Sequence, residues 1–273
     1  MIRLGEIQTI AAKLGVRDTQ IEKDYVISWI LYGISKNEYL SHHLVFKGGT
    51  VLKKAFFPDY RFSEDMDFTF IGENFDIDKI KKAVEEICRW VYDESRIRLA
   101  IQDETQHETG NYNFYLSYIA SLGGKGENKS IKVDISCEEL VYYPVENRVI
   151  INAYSDLTIE HTVLCYSLNE SVAEKMRSLM QRTAPRDLYD LWYLFEVEGM
   201  NIEDCIYAFQ EKTQYKKLNP KELVKTVLLK EKIFSRLWAD HLIHQVKELP
   251  EFKDVWRELG KHWKKFEKFL PKK

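Results

Sequence analysis

Residues 42–70 read HHLVFKGGTVLKKAFFPDYRFSEDMDFTF, and this stretch contains two short elements on which the predicted fold and chemistry depend. In the first element, the apolar run 44–46 leads through Lys47 to Gly48, Gly49 and Thr50. Because glycine has no Cβ, the backbone N–H groups of such a strand-to-helix turn can approach a phosphate closely. Gly48, Gly49 and Thr50 are therefore candidate phosphate-binding residues.

The second element is the alternating segment 65–70, DMDFTF. Side chains alternate along a strand, so Asp65, Asp67 and Thr69 share one face. Two carboxylates roughly 6–7 Å apart at Cα can hold one divalent cation or a pair. Mg²⁺ fits such a pair, because it prefers oxygen ligands and substrate phosphates. Each element alone also fits an ordinary turn or a solvated strand face; together, with a short helix-like connector between them, they favour a catalytic centre.

The amino-acid sequences of the two elements, FKGGTVLKKAF and RFSEDMDF, resemble those of the AbiEii/AbiGii toxin family of the nucleotidyltransferase superfamily. That family combines a Gly-Gly or Gly-Ser turn, a helix and an Asp-x-Asp or Asp-x-Glu strand. The resemblance implies a polymerase-β-like palm with a mixed sheet, in which Gly48, Gly49 and Ser63 contact NTP phosphates while Asp65 and Asp67 bind Mg²⁺. Fifteen residues separate Gly49 from Asp65, more than in the minimal superfamily pattern. The resemblance therefore rests on the residues of the two segments and not on the distance between them along the chain.

The composition is that of a globular protein. An apolar content of 45% with 12 Gly and 6 Pro excludes a largely disordered chain, and the net charge of −3 does not by itself indicate nucleic-acid binding. The four cysteines are scattered without Cys-x-x-Cys spacing, which indicates neither a zinc site nor a disulfide framework. We find no signal-peptide pattern and no membrane-spanning run, and we expect a cytoplasmic location.

We predict three parts: an N-terminal helical buttress (1–40), the palm (41–158) and an all-helical C-terminal domain (159–273), an α+β protein as a whole. Residues 1–40 carry two apolar helical stripes separated by Gly15. The charged segment 22–24 (EKD) also resembles wording common near the start of AbiEii-like chains, and we predict a solvated helix face for it. After the second element, residues 76–96 have the spacing of a helix packed on the sheet, and 96–102 and 111–120 alternate as two antiparallel strands.

The strand predicted at residues 130–136, SIKVDIS, carries one carboxylate, Asp134. By itself a single acid on a strand is usually exposed and without function. The resemblance gives it a role, because it follows the Asp-x-Asp strand in the order in which nucleotidyltransferases supply a third carboxylate. Asp134 would then activate the attacking hydroxyl or complete the metal site.

From about residue 160 the pattern is helical to the end. Residues 167–170 (SLNE) match the capping-box pattern at the start of a helix. Lys175 lies at the border of the apolar stripe of that helix. The stretch SVAEKMRSLMQRTAPRDLYDLW resembles the second motif of the AbiEii family. Carried over, Lys175 would neutralise charge on the NTP phosphates and Asp187 would position it or the acceptor. The sequence leaves open whether Asp187 or Asp190 is the site residue, although Asp190 is predicted to point further towards solvent.

The resemblance implies a Mg²⁺-dependent toxin of a toxin–antitoxin or abortive-infection system. It would transfer NMP from an NTP to an RNA acceptor such as the tRNA 3′ end, with Asp134, Lys175 and Asp187 completing the pocket. The antitoxin protein would come from an adjacent gene. A basic C-terminal end, nine Lys/Arg against five Asp/Glu in residues 244–273, fits either an RNA contact or a solvated helix.

Three alternatives remain at this point. The same pocket could modify a protein hydroxyl or a small molecule. The segment 65–69 also matches the Asp-x-Asp-x-Thr pattern of haloacid-dehalogenase-like phosphatases, although these need an apolar strand before the first aspartate. A binding module with a lost active site is the third, and the joint presence of both glycines, Asp65, Asp67, Asp134 and Lys175 disfavours it.

Overall fold

The computed structural model describes residues 1–106, 110–123 and 129–269, which fold into two compact units. The first unit comprises Met1–Glu139 and Val145–Cys165, and the second comprises Leu140–Pro144 and Tyr166–Lys273. The three-part division proposed from the sequence stays a prediction.

The first unit is built on a seven-stranded sheet. Its strands, in chain order, are β1 (Leu44–Lys47), β2 (Met66–Phe70), β3 (Arg98–Gln106), β4 (Tyr112–Ile119), β5 (Ser130–Ser136), β6 (Glu146–Val149) and β7 (Thr162–Cys165). They are arranged in the order β3-β4-β5-β2-β1-β7-β6. The β2–β5 and β1–β7 pairs are parallel, and the other pairs are antiparallel. This mixed sheet, with helices packed against it, confirms the predicted α+β class.

The described residues of the first unit form these helices: α1 (Leu4–Leu14), α2 (Asp18–Lys36), α3 (Glu38–His43), α4 (Gly48–Val51, continued by a π-helical turn at Leu52–Phe56) and α5 (Ile77–Ser95). The predicted α5 is confirmed, and its apolar stripe is buried. Gly33 of α2 faces α5, because a Cβ there would lie 2.5 Å from Ile87 Cγ2. Side chains of α2 and α5 share one apolar layer with Phe68, Phe114 and Val133 of the sheet. The helices therefore cover one face of the central strands.

The prediction that residues 22–24 form a solvated helix face was wrong, because α2 is buried on nearly all sides. Glu22 and Asp24 are both buried. Each acid has a cationic partner: Lys129 lies 3.0 Å from Glu22, and Lys54 lies 2.5 Å from Asp24. Both partners are distant in sequence, so the local pattern could not reveal the compensation that permits burial.

The prediction of a purely helical chain from about residue 160 was also wrong at its start. Thr162–Cys165 forms β7, which joins the sheet beside β1, with Phe46 opposite Cys165. β6 pairs with it as an antiparallel edge strand. Both strands have only four residues, too few to display a period of two.

The second unit is helical in its described part. Its helices are α6 (Leu168–Gln181), α7 (Pro185–Trp192, continued by a π-helical turn at Tyr193–Val197), α8 (Ile206–Tyr215), α9 (Leu223–Leu229), α10 (Glu231–Leu242) and α11 (Phe252–Phe269), with 3₁₀ turns at Ile202–Cys205 and Pro220–Glu222. The buried pair of Lys212 and Glu170, 2.6 Å apart, joins α8 to α6. Glu170 also accepts hydrogen bonds from the backbone N–H groups of Tyr142 and Tyr143, which ties the segment 140–144 to this unit.

Two whole-chain properties complete the fold. Among the described helices, none is both long enough and apolar enough to cross a membrane. All four cysteines are free thiols, and Cys165 and Cys205 are buried; burial raises the pKa of Cys165 and that of Cys205 to about 12.

Candidate active site

The turn between β1 and α4 contains the two glycines that the sequence singled out. Gly48 opens α4 with φ +82°, a left-handed conformation that residues with a Cβ rarely adopt. A Cβ on Gly48 would lie 2.3 Å from Asp67 Oδ2. The absence of a side chain therefore allows the backbone of the turn to contact a predicted metal-binding carboxylate.

Gly49 lies against a second group of polar side chains. A Cβ at this position would be 2.5 Å from Arg61 Nη2 and 3.4 Å from Ser63 Oγ. Both side chains are buried, and Cζ of the planar Arg61 guanidinium lies 5.7 Å from the centroid of the Tyr60 ring. The structure thus brings predicted Ser63 to the glycine turn together with Arg61, which the sequence analysis did not select.

Thr50 links the turn to the Asp-x-Asp segment. Its buried hydroxyl donates a 2.5 Å hydrogen bond to the backbone carbonyl of Asp65. Since the hydroxyl is occupied in this way, Thr50 positions Asp65, and its predicted contact with a phosphate stays a prediction.

The register of three neighbouring strands places a row of charged residues side by side. Lys47 of β1 is opposite Asp67 of β2, and Asp67 is opposite Asp134 of β5. Residues opposite each other in a ladder project from the same face. Asp65 precedes β2 by one residue and, by alternation, faces the same way as Asp67. The structure therefore brings the three predicted carboxylates to one region of one sheet face.

Two lysines that the sequence analysis missed belong to this row. Lys132 Nζ lies 2.7 Å from Asp134 Oδ2, and Lys47 Nζ lies 3.9 Å from Glu139 Oε1. Burial works against the charge of Lys132, but its hydrogen bond to Asp134 and the fields of Asp134 and Asp65 outweigh burial and raise its pKa. The sequence offered one signal for each: Lys47 directly precedes the glycines, and Lys132 shares the strand face of Asp134.

The carboxylates are suited to a hard cation, although they are not gathered into a ready cluster. In the described parts of the chain, no three His, Cys, Asp or Glu side chains meet closely enough to hold a metal ion. Mg²⁺ usually binds through one or two carboxylates and completes its shell with water and substrate phosphates. Asp65 and Asp67, with the side-chain-free Gly48 beside them, fit that requirement.

The remaining predicted residues form a separate cluster within the second unit. Lys175 Nζ lies 2.5 Å from Asp190 Oδ2 and 3.5 Å from Asp187 Oδ1. Arg182 donates two hydrogen bonds to Asp187, from Nε at 2.7 Å and from Nη2 at 3.1 Å. Lys175, Asp187 and Asp190 are all buried.

This geometry corrects the prediction for Asp190. We expected it to point towards solvent, yet it is fully buried and makes the shorter of the two contacts with Lys175. A single-helix projection of α7 could not show that Lys175 of α6 covers Asp190. Arg182, which lies between the two helices, pairs with Asp187.

The basic C-terminal segment lies largely on α11. Its lysines at positions 253, 261, 264 and 268 are exposed, while Val255, Leu259, Trp263 and Phe266 are buried. The apolar side chains of α11 thus pack inward and its lysines face outward, and residues 270–273 lie outside the described part of the chain.

Comparison with known proteins gives a consistent result. The family model described as nucleotidyl transferase AbiEii toxin, type IV TA system, matches residues 29–269. No curated protein matches the chain. Among solved structures, JHP933 from Helicobacter pylori has a TM-score of 0.56 at 18% identity, covering 93% of this chain and 94% of that one. MenT4, the nucleotidyltransferase toxin Rv2826c from Mycobacterium tuberculosis H37Rv, has a TM-score of 0.54 at 18% identity, covering 96% and 99%.

Proposed function

Because this chain belongs to the AbiEii nucleotidyl transferase toxin family of type IV toxin–antitoxin systems, we propose that it transfers a nucleoside monophosphate from an NTP to an RNA acceptor. The observation that carries the proposal is the contact of the Gly48 backbone with Asp67, in register with Asp134. A phosphate bound at the glycine turn would lie directly beside the carboxylates that serve the reaction.

In the proposed mechanism, backbone N–H groups at Gly48 and Gly49, with the Ser63 hydroxyl, bind the triphosphate. Asp65 and Asp67 would hold Mg²⁺, which when bound neutralises triphosphate charge and polarises the α-phosphate. The acceptor hydroxyl attacks the α-phosphorus; an O–P bond forms, the α–β P–O bond breaks and pyrophosphate leaves. Asp134 takes the proton of the hydroxyl as general base.

The second cluster supplies cationic and positioning groups in this proposal. Lys175 is the cationic residue that the family resemblance assigns to charge stabilisation in the reaction, and Asp187 and Asp190 fix its side chain. The short contacts of Lys175 with both aspartates support that positioning role. The tRNA 3′ end is the proposed acceptor, an antitoxin protein is the proposed partner, and a toxin with these substrates would act in the cytoplasm.

Two structural observations argue against the phosphatase alternative. A haloacid-dehalogenase-like site needs an apolar strand leading into the first aspartate, but residues 57–65 form no strand in the described chain. Asp67 also lies on a strand that has an antiparallel neighbour, β1. These features support nucleotidyl transfer over phosphate hydrolysis.

The test uses purified protein, Mg²⁺, total RNA and each α-³²P-labelled NTP in turn, resolved on a denaturing gel. The D65A variant is compared with D103N, which changes an exposed carboxylate of β3 in the same unit. We expect label on RNA-sized bands with the wild type and D103N, and none with D65A. Label on protein instead would refute an RNA acceptor, and no label with any NTP would refute nucleotidyl transfer.

A further inference from the structure

On β4 and β5, the side chains on the sheet face that carries Asp134 are half-buried to exposed, and we call this part of the sheet the open face. Along β4, buried residues alternate with the outward residues Asn113, Tyr115, Ser117 and Ile119. Along β5, Lys132, Asp134 and their alternate neighbours face the same way. The polar row that contains Asp67 and Asp134 therefore continues outward to Asn113, which is opposite Asp134.

Tyr115 is the prominent side chain on this open face. It lies opposite Lys132 and is thus a diagonal neighbour of Asp134, at about 7–8 Å. The residue is 37% exposed. In the described parts of the chain its ring stacks on no other aromatic side chain, and its hydroxyl interacts electrostatically with Lys132 without a hydrogen bond. An aromatic ring that is not stacked on another, next to the proposed general base, is a surface on which a flat ligand can stack.

Lys132 adds a cation to the same surface. Its ammonium has three N–H donors and lies 2.7 Å from Asp134, with its side chain 35% exposed. Donors beyond the Asp134 contact are available to a phosphate. The other neighbours of Tyr115 on this face, Asn113, Ser117 and Gln102 of β3, are neutral and polar.

An aromatic ring with one adjacent cation and neutral hydrogen-bonding groups is the combination by which proteins bind single-stranded nucleic acid. We propose that Asn113, Tyr115, Ser117 and Lys132 form an acceptor platform for the 3′-terminal nucleotide of a single-stranded RNA end. The base stacks on Tyr115, a backbone phosphate contacts Lys132, and the terminal hydroxyl reaches Asp134. This inference rests on the proposed function, since it names where the acceptor of that reaction binds.

Binding is measured without NTP, by fluorescence anisotropy of a short single-stranded RNA that carries a 5′ fluorophore and a free 3′ hydroxyl. We expect Y115A to raise the Kd about tenfold or more, the range for loss of one base-stacking side chain. Y115F keeps the ring and should bind as the wild type does. Y92A is the matched control, because Tyr92 is 39% exposed in the same unit but lies on α5, which covers the other face. K132Q should weaken RNA binding and reduce the slope of log K against log salt concentration by about one.

The outcomes separate the platform from the reaction. If the RNA binds through Tyr115 but no NTP ever labels it, the proposed function fails; Tyr115 is then an RNA-binding residue, and its role in binding an acceptor is refuted. If Y115A transfers nucleotide with an unchanged KM for RNA, the platform is refuted while the function stands. Equal Kd values for Y115A and Y92A, or no RNA binding by the wild type, would also overturn the platform. Thermal unfolding and NTP binding of Y115A, expected to be unchanged, show that the variant is folded.

Discussion

At the scale of single residues, the site depends on the absence of a side chain at Gly48 as much as on the carboxylates of Asp65, Asp67 and Asp134. The sequence predicted the glycine pair as a phosphate turn, because adjacent glycines after an apolar run are visible locally. It could not reveal that Gly48 faces Asp67, since that contact depends on the register of β1 and β2. Arg61 was missed for a similar reason, because its position against Gly49 depends on contacts between separate segments.

Substitution of Gly48 tests this contact. In G48A, the new Cβ would meet Asp67 Oδ2 at 2.3 Å and the backbone would keep an unfavourable positive φ, at a cost of about 1–2 kcal/mol. We expect loss of NTP binding, measured by calorimetry, and a lower melting temperature. G5A is the control, because no atom lies within 4 Å of a Cβ there. Full NTP affinity in G48A would show that the turn does not bind the triphosphate.

A buried ion pair in the first unit makes a separate prediction. Lys54 Nζ contacts Asp24 Oδ2 at 2.5 Å and donates to Ser28 Oγ, while Tyr154 donates to the same Asp24 oxygen. K54M leaves the acid buried without its cation and should lower the free energy of unfolding by about 3–5 kcal/mol. The double variant D24L/K54M should recover much of that loss in urea denaturation. A double variant less stable than K54M would contradict this interpretation of the pair.

The same acid should govern part of the acid sensitivity. Burial alone would raise the pKa of Asp24, but Lys54, Lys53 and the hydrogen bond from Tyr154 together lower it from its ordinary value. A carboxyl with a lowered folded-state pKa contributes stability above its unfolded pKa and loses it as pH falls through the folded value. We therefore expect the wild type to lose more unfolding free energy than D24N between about pH 5 and pH 2. If the unfolding free energies of the wild type and D24N fell in parallel with pH, a contribution from Asp24 to the acid sensitivity would be excluded.

At the scale of secondary-structure elements, long amphipathic helices were predictable and short strands were not. The apolar stripes of α5 and α6 extend over several turns, whereas β6 and β7 have four residues each. The capping box predicted at α6 is half formed. Ser167 Oγ accepts from the backbone N–H of Glu170, but the Glu170 carboxylate binds Tyr142, Tyr143 and Lys212 instead of reaching back.

The cap of α6 should matter for stability, because this helix carries Lys175. S167A removes one accepted hydrogen bond at the N-terminus and should cost about 0.5–2 kcal/mol of unfolding free energy. Arg3 provides the comparison: it precedes α1 at the same position and makes no side-chain cap, so R3A should be nearly neutral. Equal effects of the two variants in chemical denaturation would mean that the Ser167 hydrogen bond contributes nothing.

At the scale of the whole molecule, the predicted chemistry is distributed over two units. The mixed sheet carries the glycine turn and three carboxylates, and the helical unit carries Lys175 with its two aspartates. The family and the α+β class could be predicted from the sequence, because both follow from short local motifs. The order of the strands and the burial of Asp190 and Asp24 could not be predicted, since they depend on contacts between distant segments.

The central claim is that the bond broken in the NTP is the one between the α- and β-phosphates. The most direct measurement runs two parallel reactions with RNA, one with an NTP labelled at the α-phosphate and one with an NTP labelled at the γ-phosphate. Each reaction is repeated with D67N, which should be inactive, and with D103N, which should behave as the wild type. We predict that the α-label joins the RNA and the γ-label appears as pyrophosphate, for the wild type and D103N alone. Release of γ-label as orthophosphate, or its transfer to an acceptor, would contradict nucleotidyl transfer.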